Sequence, residues 1–239
     1  MDAGPTPSGR DDAIAVLART NLFGGLDEAA LALVANAAEQ RSYRRDAVVF
    51  SQGDEGSLLY VVASGRLKLA VTTASGATIV LTTLTHPDTF GELALIDGRP
   101  RSATVVALEP SLLLAVGRPT LLSLLSDRPS VSEALLRGIG ATVRRLTEQA
   151  ADLALLDLTA RVAKLLVTLA DQHGVATASG TDAVVELHLT QADMASMVGG
   201  TRQSVNQILS GFAARGLIEV RGRTILLRRL QELRRRAGL

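Results

Sequence analysis

Residues 90–105 read FGELALIDGRPRSATV and join two apolar runs. Four of these residues suit one kind of molecule, a sugar carrying a phosphate. Gly91 has no Cβ and lets backbone approach a ligand closely. Glu92 is a carboxylate that can accept hydrogen bonds from ribose hydroxyls. Arg101 offers a planar fork of donors to phosphate oxygens. Ser102 and the neighbouring backbone N–H groups can complete an anion cradle. The blander alternative is an ordinary loop with a surface ion pair between Glu92 and Arg101.

A second cluster, residues 189–209, reads LTQADMASMVGGTRQSVNQIL. Thr190 and Asp193 have the spacing of a helix capping box. Met194 and Val198 give that helix an apolar face, with Ala195 small where a second helix must cross. Gly199-Gly200 supplies a sharp turn, and Thr201 can cap the next helix. Val205, Ile208 and Leu209 seat the second helix on the first. Arg202, Gln203, Ser204, Asn206 and Gln207 are left to face outward, as on a recognition helix entering a DNA major groove. Arg forks onto guanine, and Gln favours adenine. Thr201 and Ser204 are candidates for phosphate, and Thr190 is a further candidate DNA contact. Downstream, β-rich runs flank Gly222 in a tight turn. They predict a hairpin wing whose tip carries Arg221 and Arg223 toward phosphates.

Charge agrees with that assignment. The chain has a net charge of only +1, but residues 200–239 hold nine arginines and no lysine against Glu219 and Glu232, a local +7. One basic end on a nearly neutral chain fits a module for double-stranded DNA. The absence of cysteine removes disulfides, thiolate-held zinc and iron–sulfur clusters, and any cysteine nucleophile. No Ser/His/Asp or paired-carboxylate constellation points to an enzyme. His86, His173 and His188 are scattered without metal-ligand spacing and read as packing or surface residues. No apolar run reaches membrane-spanning length. The first twelve residues lack the apolar core of a secretory signal and read as a disordered leader, so a cytoplasmic protein is expected.

These side chains need elements to hold them. Residues 13–39 have helical periodicity, broken at Asn21–Gly25. Short β-rich runs follow at 48–50, 58–63, 67–71, 78–84, 103–108 and 112–116, separated by turn signals, which predicts a barrel or sandwich. Helical pattern returns from Ser130 to about Leu156. There Ile139, Val143, Leu146, Ala150 and Leu153 form a narrow a/d seam, which packs either on its own barrel or on a partner helix, most simply from a second copy. A further helix runs to about Asp171, and a polar loop spans 174–182.

The stretch from Gly91 to Val105 resembles the phosphate-binding cassette of cyclic-nucleotide-binding domains. From about Ala13 to Leu227 the chain resembles the cyclic-AMP receptor protein / fumarate-nitrate regulator (CRP/FNR) family. That resemblance implies an α+β fold: an N-terminal β-roll (a double-stranded jelly-roll, residues 13–128), a long central dimerisation helix with a hinge (129–157), and a C-terminal winged helix-turn-helix (158–239). It implies a homodimeric transcription factor gated by a cyclic nucleotide, cAMP above others, with no metal. It extends the ligand site to Phe90, Leu93 and Ala103, and puts Arg202 on the residue that reads a guanine. Two departures matter. Gln203 and Gln207 stand where the family pattern has Glu and a second Arg. Leu146-Thr147 falls on a Thr-Ser pair that contacts the base, and Leu146 can neither donate nor accept. Three alternatives therefore stay open: the same scaffold acting constitutively, the scaffold sensing haem or another effector, and a nucleotide-binding module acting on a protein. RNA polymerase is a candidate further partner, through the polar loop, although no motif there specifies it.

Overall fold

The structure, a computed structural model, describes residues 10–74, 76–173, 175–176, 183–186, 189–221 and 224–239. The chain divides into two compact units, residues 1–144 and 145–239.

In the first unit, α1 (Arg10–Ala18) and α2 (Glu28–Ala37) precede the strands β1 (Glu39–Tyr43), β2 (Val48–Phe50), β3 (Leu58–Ser64), β4 (Arg66–Thr72), β5 (Thr78–Thr85) and β6 (Thr89–Phe90). Then come α3 (Glu92–Asp97), β7 (Thr104–Ala107), β8 (Ser111–Gly117) and α4 (Arg118–Asp127). The strands form two antiparallel sheets, β1-β8-β3-β6 and β2-β7-β4-β5. Strands β3 and β8 explain the uninterrupted apolar runs, because both of their faces are buried. Leu59, Val61, Leu112, Leu114 and Val116 pack in a core with α1, α2 and α4. Tyr60, Val62, Leu113 and Ala115, one position out of phase, fill a second core with Phe90, Val105 and Leu67. The alternation of a strand is intact here, but apolar groups are needed on both sides.

Several elements differ from the sequence expectation. Helix α1 begins at Arg10, inside the segment read as a leader, and Asp11 and Asp12 in its first turn suit the positive end of the helix dipole. Asp27 caps α2 by accepting from Ala30 N at 2.8 Å. Strands β1 and β6 and helices α3 and α4 are additions to the strands and helices predicted.

Helix α5 (Pro129–Leu155) is the long central helix and runs within two residues of its predicted ends. The second unit contains its last turns, then α6 (Leu158–His173), β9 (Val175–Ala176), β10 (Ala183–Glu186), α7 (Gln191–Met197) and α8 (Arg202–Ala214). Strands β11 (Ile218–Arg221) and β12 (Thr224–Leu227) and helix α9 (Leu230–Arg236) complete it. One sheet, β11-β12-β10-β9, backs the helices. The polar loop is shorter than read, since Val175 and Ala176 pair with β10; residues 174 and 177–182 lie outside the described residues. No helix among the described residues is long and apolar enough to cross a membrane.

Candidate effector site and nucleic-acid interface

The cassette turns out to be a short helix and the turn that feeds it. Gly91 is the residue before α3 and has φ +85°, a left-handed conformation open to glycine at little cost. A Cβ there would also lie 2.7 Å from Arg101 Nη1. Glu92 opens α3, and Ser102 is exposed in the loop that follows it.

Arg101 is not a surface arginine; it is 5% exposed. Its Nη1 donates to Gly91 O at 2.8 Å and its Nη2 to Leu58 O at 2.7 Å. The guanidinium lies 4.2 Å from the Phe50 ring centroid. Phe50 belongs to an aromatic group with Tyr60 and Phe90, whose rings stack at 5.3 Å. Gly56 closes the other side, where a Cβ would stand 2.8 Å from Arg101 Nε. The Nε itself is buried without a hydrogen-bond partner. The arginine therefore makes no ion pair with Glu92, and the surface-salt-bridge alternative is set aside. Each Nη group keeps a second N–H for an anion.

Glu92 borders a partly open cleft of about 220 Å³, lined by Asn21–Leu22, the turn Pro87–Thr89 and the α5 face from Ala134 to Thr142. Burial pushes the Glu92 carboxyl above its usual range, against a backbone hydrogen bond and the charge of Arg101. Burial raises Asp88 in the same way, opposed by the hydrogen bond from Thr85 N. Ala103 and Phe90 are buried, whereas Leu93 is 43% exposed on α3. His86 packs with Nδ1 3.2 Å from Val62 O, as a structural histidine would. The side chains of His173 and His188 lie outside the described residues. Leu146 and Thr147 are exposed on α5, in the second unit.

The capping box of α7 is complete. Thr190 Oγ1 accepts from Asp193 N at 3.1 Å and donates to Asp193 Oδ2 at 2.7 Å. Thr201 Oγ1 accepts from Ser204 N at 3.1 Å and caps α8. The two hydroxyls of Thr201 and Ser204 are 2.8 Å apart and bond to each other. Thr190 is thus a cap first, with its donor already committed inside the protein. In the turn between the helices only Gly199 is left-handed, at φ +64°. Gly200 is glycine for another reason: a Cβ would stand 2.7 Å from Leu158 Cδ1.

Arg202, Gln203, Asn206 and Gln207 do share one face of α8, and Ser210 extends it by a turn to line one shallow groove. Ser210 was missed by the sequence reading, although its spacing from Asn206 is the signal. Asn206 lines the groove as expected, although its Oδ1 is buried without a hydrogen-bond partner. On β11, Arg221 is exposed, but its Nε donates to Glu219 Oε1 at 2.6 Å. Arg228 Nη2 donates to Glu219 Oε2 at 2.8 Å. Arg223, expected at the wing tip, lies outside the described residues.

Comparison with known proteins assigns both regions. Residues 40–128 match the cyclic nucleotide-binding domain, and residues 160–236 match the Crp-like helix-turn-helix domain. The chain is 35% identical to a CRP-like cAMP-activated global transcriptional regulator of Mycobacterium tuberculosis, covering 93% of this chain and 98% of that one. It belongs to the CRP/FNR family of transcriptional regulators. A second relative in this family, the cyclic AMP receptor protein of Thermus thermophilus, is 31% identical over 87% of this chain and 92% of its own. The CRP/FNR architecture is also that of FixK2 from Bradyrhizobium japonicum, with TM-score 0.75 at 22% identity, covering 83% of this chain and 96% of that one. As a CRP/FNR regulator the chain pairs a nucleotide-type sensor domain with a DNA-binding domain, and it is a ligand-responsive, DNA-binding regulator of transcription.

Proposed function

We propose that this protein is a homodimeric switch on DNA whose effector is cAMP. The observation that carries the reading is Arg101: a buried guanidinium with only carbonyl oxygens as hydrogen-bond acceptors, beside Glu92 and an exposed Ser102. A buried cation with no carboxylate in ion-pair contact is costly, and a cyclic phosphate is an anion of suitable size. Glu92 takes the ribose hydroxyl. Phe90, Leu93 and Ala103 frame the ligand, and Leu146 with Thr147 meets the base. The close relative named for cAMP activation supports this nucleotide.

The partner helix is that of a second copy. Val143, Leu146 and Leu153 are 56%, 40% and 55% exposed along one seam of α5, too much apolar surface for a solitary helix. In a two-fold dimer the α8 helices read successive major grooves about 34 Å apart, over a pseudo-palindrome. Arg202, Gln203, Asn206 and Gln207 approach base edges; Thr201, Ser204, Arg221 and Arg223 approach phosphates, with Thr190 behind them. The sensor spans residues 13–128, the dimerisation helix and hinge 129–157, and the DNA-binding domain 158–239. The site of action is the cytoplasm, on DNA, with RNA polymerase as the machinery acted upon. The nucleotide shifts a pre-existing equilibrium, so it must favour the DNA-competent state differentially.

Leu146 favours a second reading, in which the same scaffold answers to another nucleotide. Calorimetric titration with cAMP and with cGMP, beside Arg101→Ala, tests both. Micromolar cAMP binding that is lost in a folded Arg101→Ala variant supports the proposal. Preference for cGMP moves the effector assignment, and binding of neither refutes nucleotide gating.

A further inference from the structure

The segment joining α5 to α6 is where the family resemblance implies a hinge, yet it is cross-braced. Arg161 lies one turn into α6, half-buried. Its Nε donates to Val198 O at 2.8 Å and its Nη1 to Leu156 O at 2.6 Å. Both acceptors belong to helix C-termini. Val198 is the C-cap of α7, the first helix of the helix-turn-helix, and Leu156 directly follows the last residue of α5. Carbonyls at such ends have no intrahelical donor and carry the negative pole of the helix dipole. One planar cation thus satisfies two of them at once, through charge-assisted hydrogen bonds.

Neighbouring contacts tighten the same junction. Lys164 Nζ lies 2.7 Å and 2.6 Å from the two carboxylate oxygens of Asp152, tying α6 to the last turn of α5. A Cβ on Gly199 would stand 2.9 Å from Leu153 Cδ2, and one on Gly200 would collide with Leu158. The turn of the helix-turn-helix is therefore seated on the end of α5 and the start of α6. All of these residues lie within the second unit.

We propose that Arg161 is a positioning residue for DNA binding: it locks the turn between α7 and α8 to the C-terminal end of α5, so that a displacement of that end reaches the recognition helix. This rests on the reading of α5 as the helix that carries the effector signal. Arg161 belongs to neither the cassette nor the groove face of α8, and its removal should reduce coupling between the two sites rather than either affinity alone.

The test compares full-length wild type, Arg161→Lys and Arg161→Met, the last keeping an apolar stem of similar length. Fluorescence anisotropy at one fixed salt concentration measures affinity with and without cAMP. The probe is a duplex that the wild type recovers from a random library. Calorimetry measures cAMP affinity without DNA. In Arg161→Met the cAMP-dependent gain in DNA affinity should fall roughly tenfold, within the ordinary range of allosteric coupling. By reciprocity the DNA-dependent gain in cAMP affinity should fall equally. Arg161→Lys, with a compact ammonium in place of the fork, should fall between. An unchanged gain overturns the proposal, and so does an equal loss of DNA affinity with and without cAMP, the mark of simple destabilisation. If wild type shows no gain at all, cAMP gating fails instead, and amide hydrogen exchange decides on Arg161. Residues 153–156 and 199–201 opening as one unit in wild type and separately in Arg161→Met supports the lock; the same pattern in both proteins sinks it.

Discussion

Burial works against both charged residues of the effector site, but in opposite directions: it raises the carboxyl of Glu92 and lowers the guanidinium of Arg101. The consequence for Glu92 can be followed with pH. A raised folded-state pKa means the folded protein holds that proton more tightly than the unfolded chain. The stability contributed by this group is fully present below the ordinary carboxylate pKa and is lost as pH rises through the raised value. At neutral pH the ionised, half-buried carboxylate is thus a liability without ligand. Glu92→Gln should raise the ligand-free melting temperature at pH 7 by roughly 1–3 °C, what a fraction of a kcal/mol produces in a chain of this size. That gain should vanish near pH 4. The same variant should bind cAMP about tenfold more weakly, since a hydrogen bond to a charged acceptor becomes one to a neutral amide. Scanning calorimetry and titration of the same samples check both. The residue types of the cassette were legible in sequence because their chemistry is local to Gly91–Ser102. The resting state of Arg101 was not, because Leu58 O and the Phe50 ring arrive from distant strands.

Among the elements, α8 depends on its first turn. Thr201 satisfies Ser204 N and fixes where the recognition helix begins. Thr201→Ala should cost about 1 kcal/mol of stability. It should weaken binding to all DNA sequences rather than alter base preference, read as a uniform shift across a set of operator variants by anisotropy. Element type was most legible where a period persists, as in α5, or where a cap announces a start, as at Thr190 and Thr201. It failed for α3, whose six residues are too few to display a helical period, and for β1, whose sequence EQRSY has mostly polar and charged side chains and is half exposed. Asn206 shows that spacing assigns a face to a residue but not to each of its atoms. Its position puts it on the outward stripe, yet its amide oxygen is folded into the protein.

For the whole molecule, the proposed dimer rests on the exposed seam of α5, and with it the proposal that two recognition helices meet DNA. An aspartate in place of Val143 would set two like charges against each other in an apolar interface. Val143→Asp should convert the protein from dimer to monomer at micromolar concentration in sedimentation velocity. The salt dependence of DNA binding should become about half as steep, because each protomer then neutralises only its own phosphates.

The wing carries one more consequence. Glu219 holds Arg221 and Arg228 with its two oxygens, and those two hydrogen bonds keep its carboxyl below the usual range. In the proposed DNA complex Arg221 turns to a backbone phosphate, and Glu219 is then that phosphate's competitor for the guanidinium. On that proposal, binding exchanges Glu219 for a phosphate, a cost that falls on every duplex alike. Glu219→Gln should therefore tighten binding to random-sequence DNA and to operator equally, and leave unchanged the specificity ratio measured by competition at fixed salt.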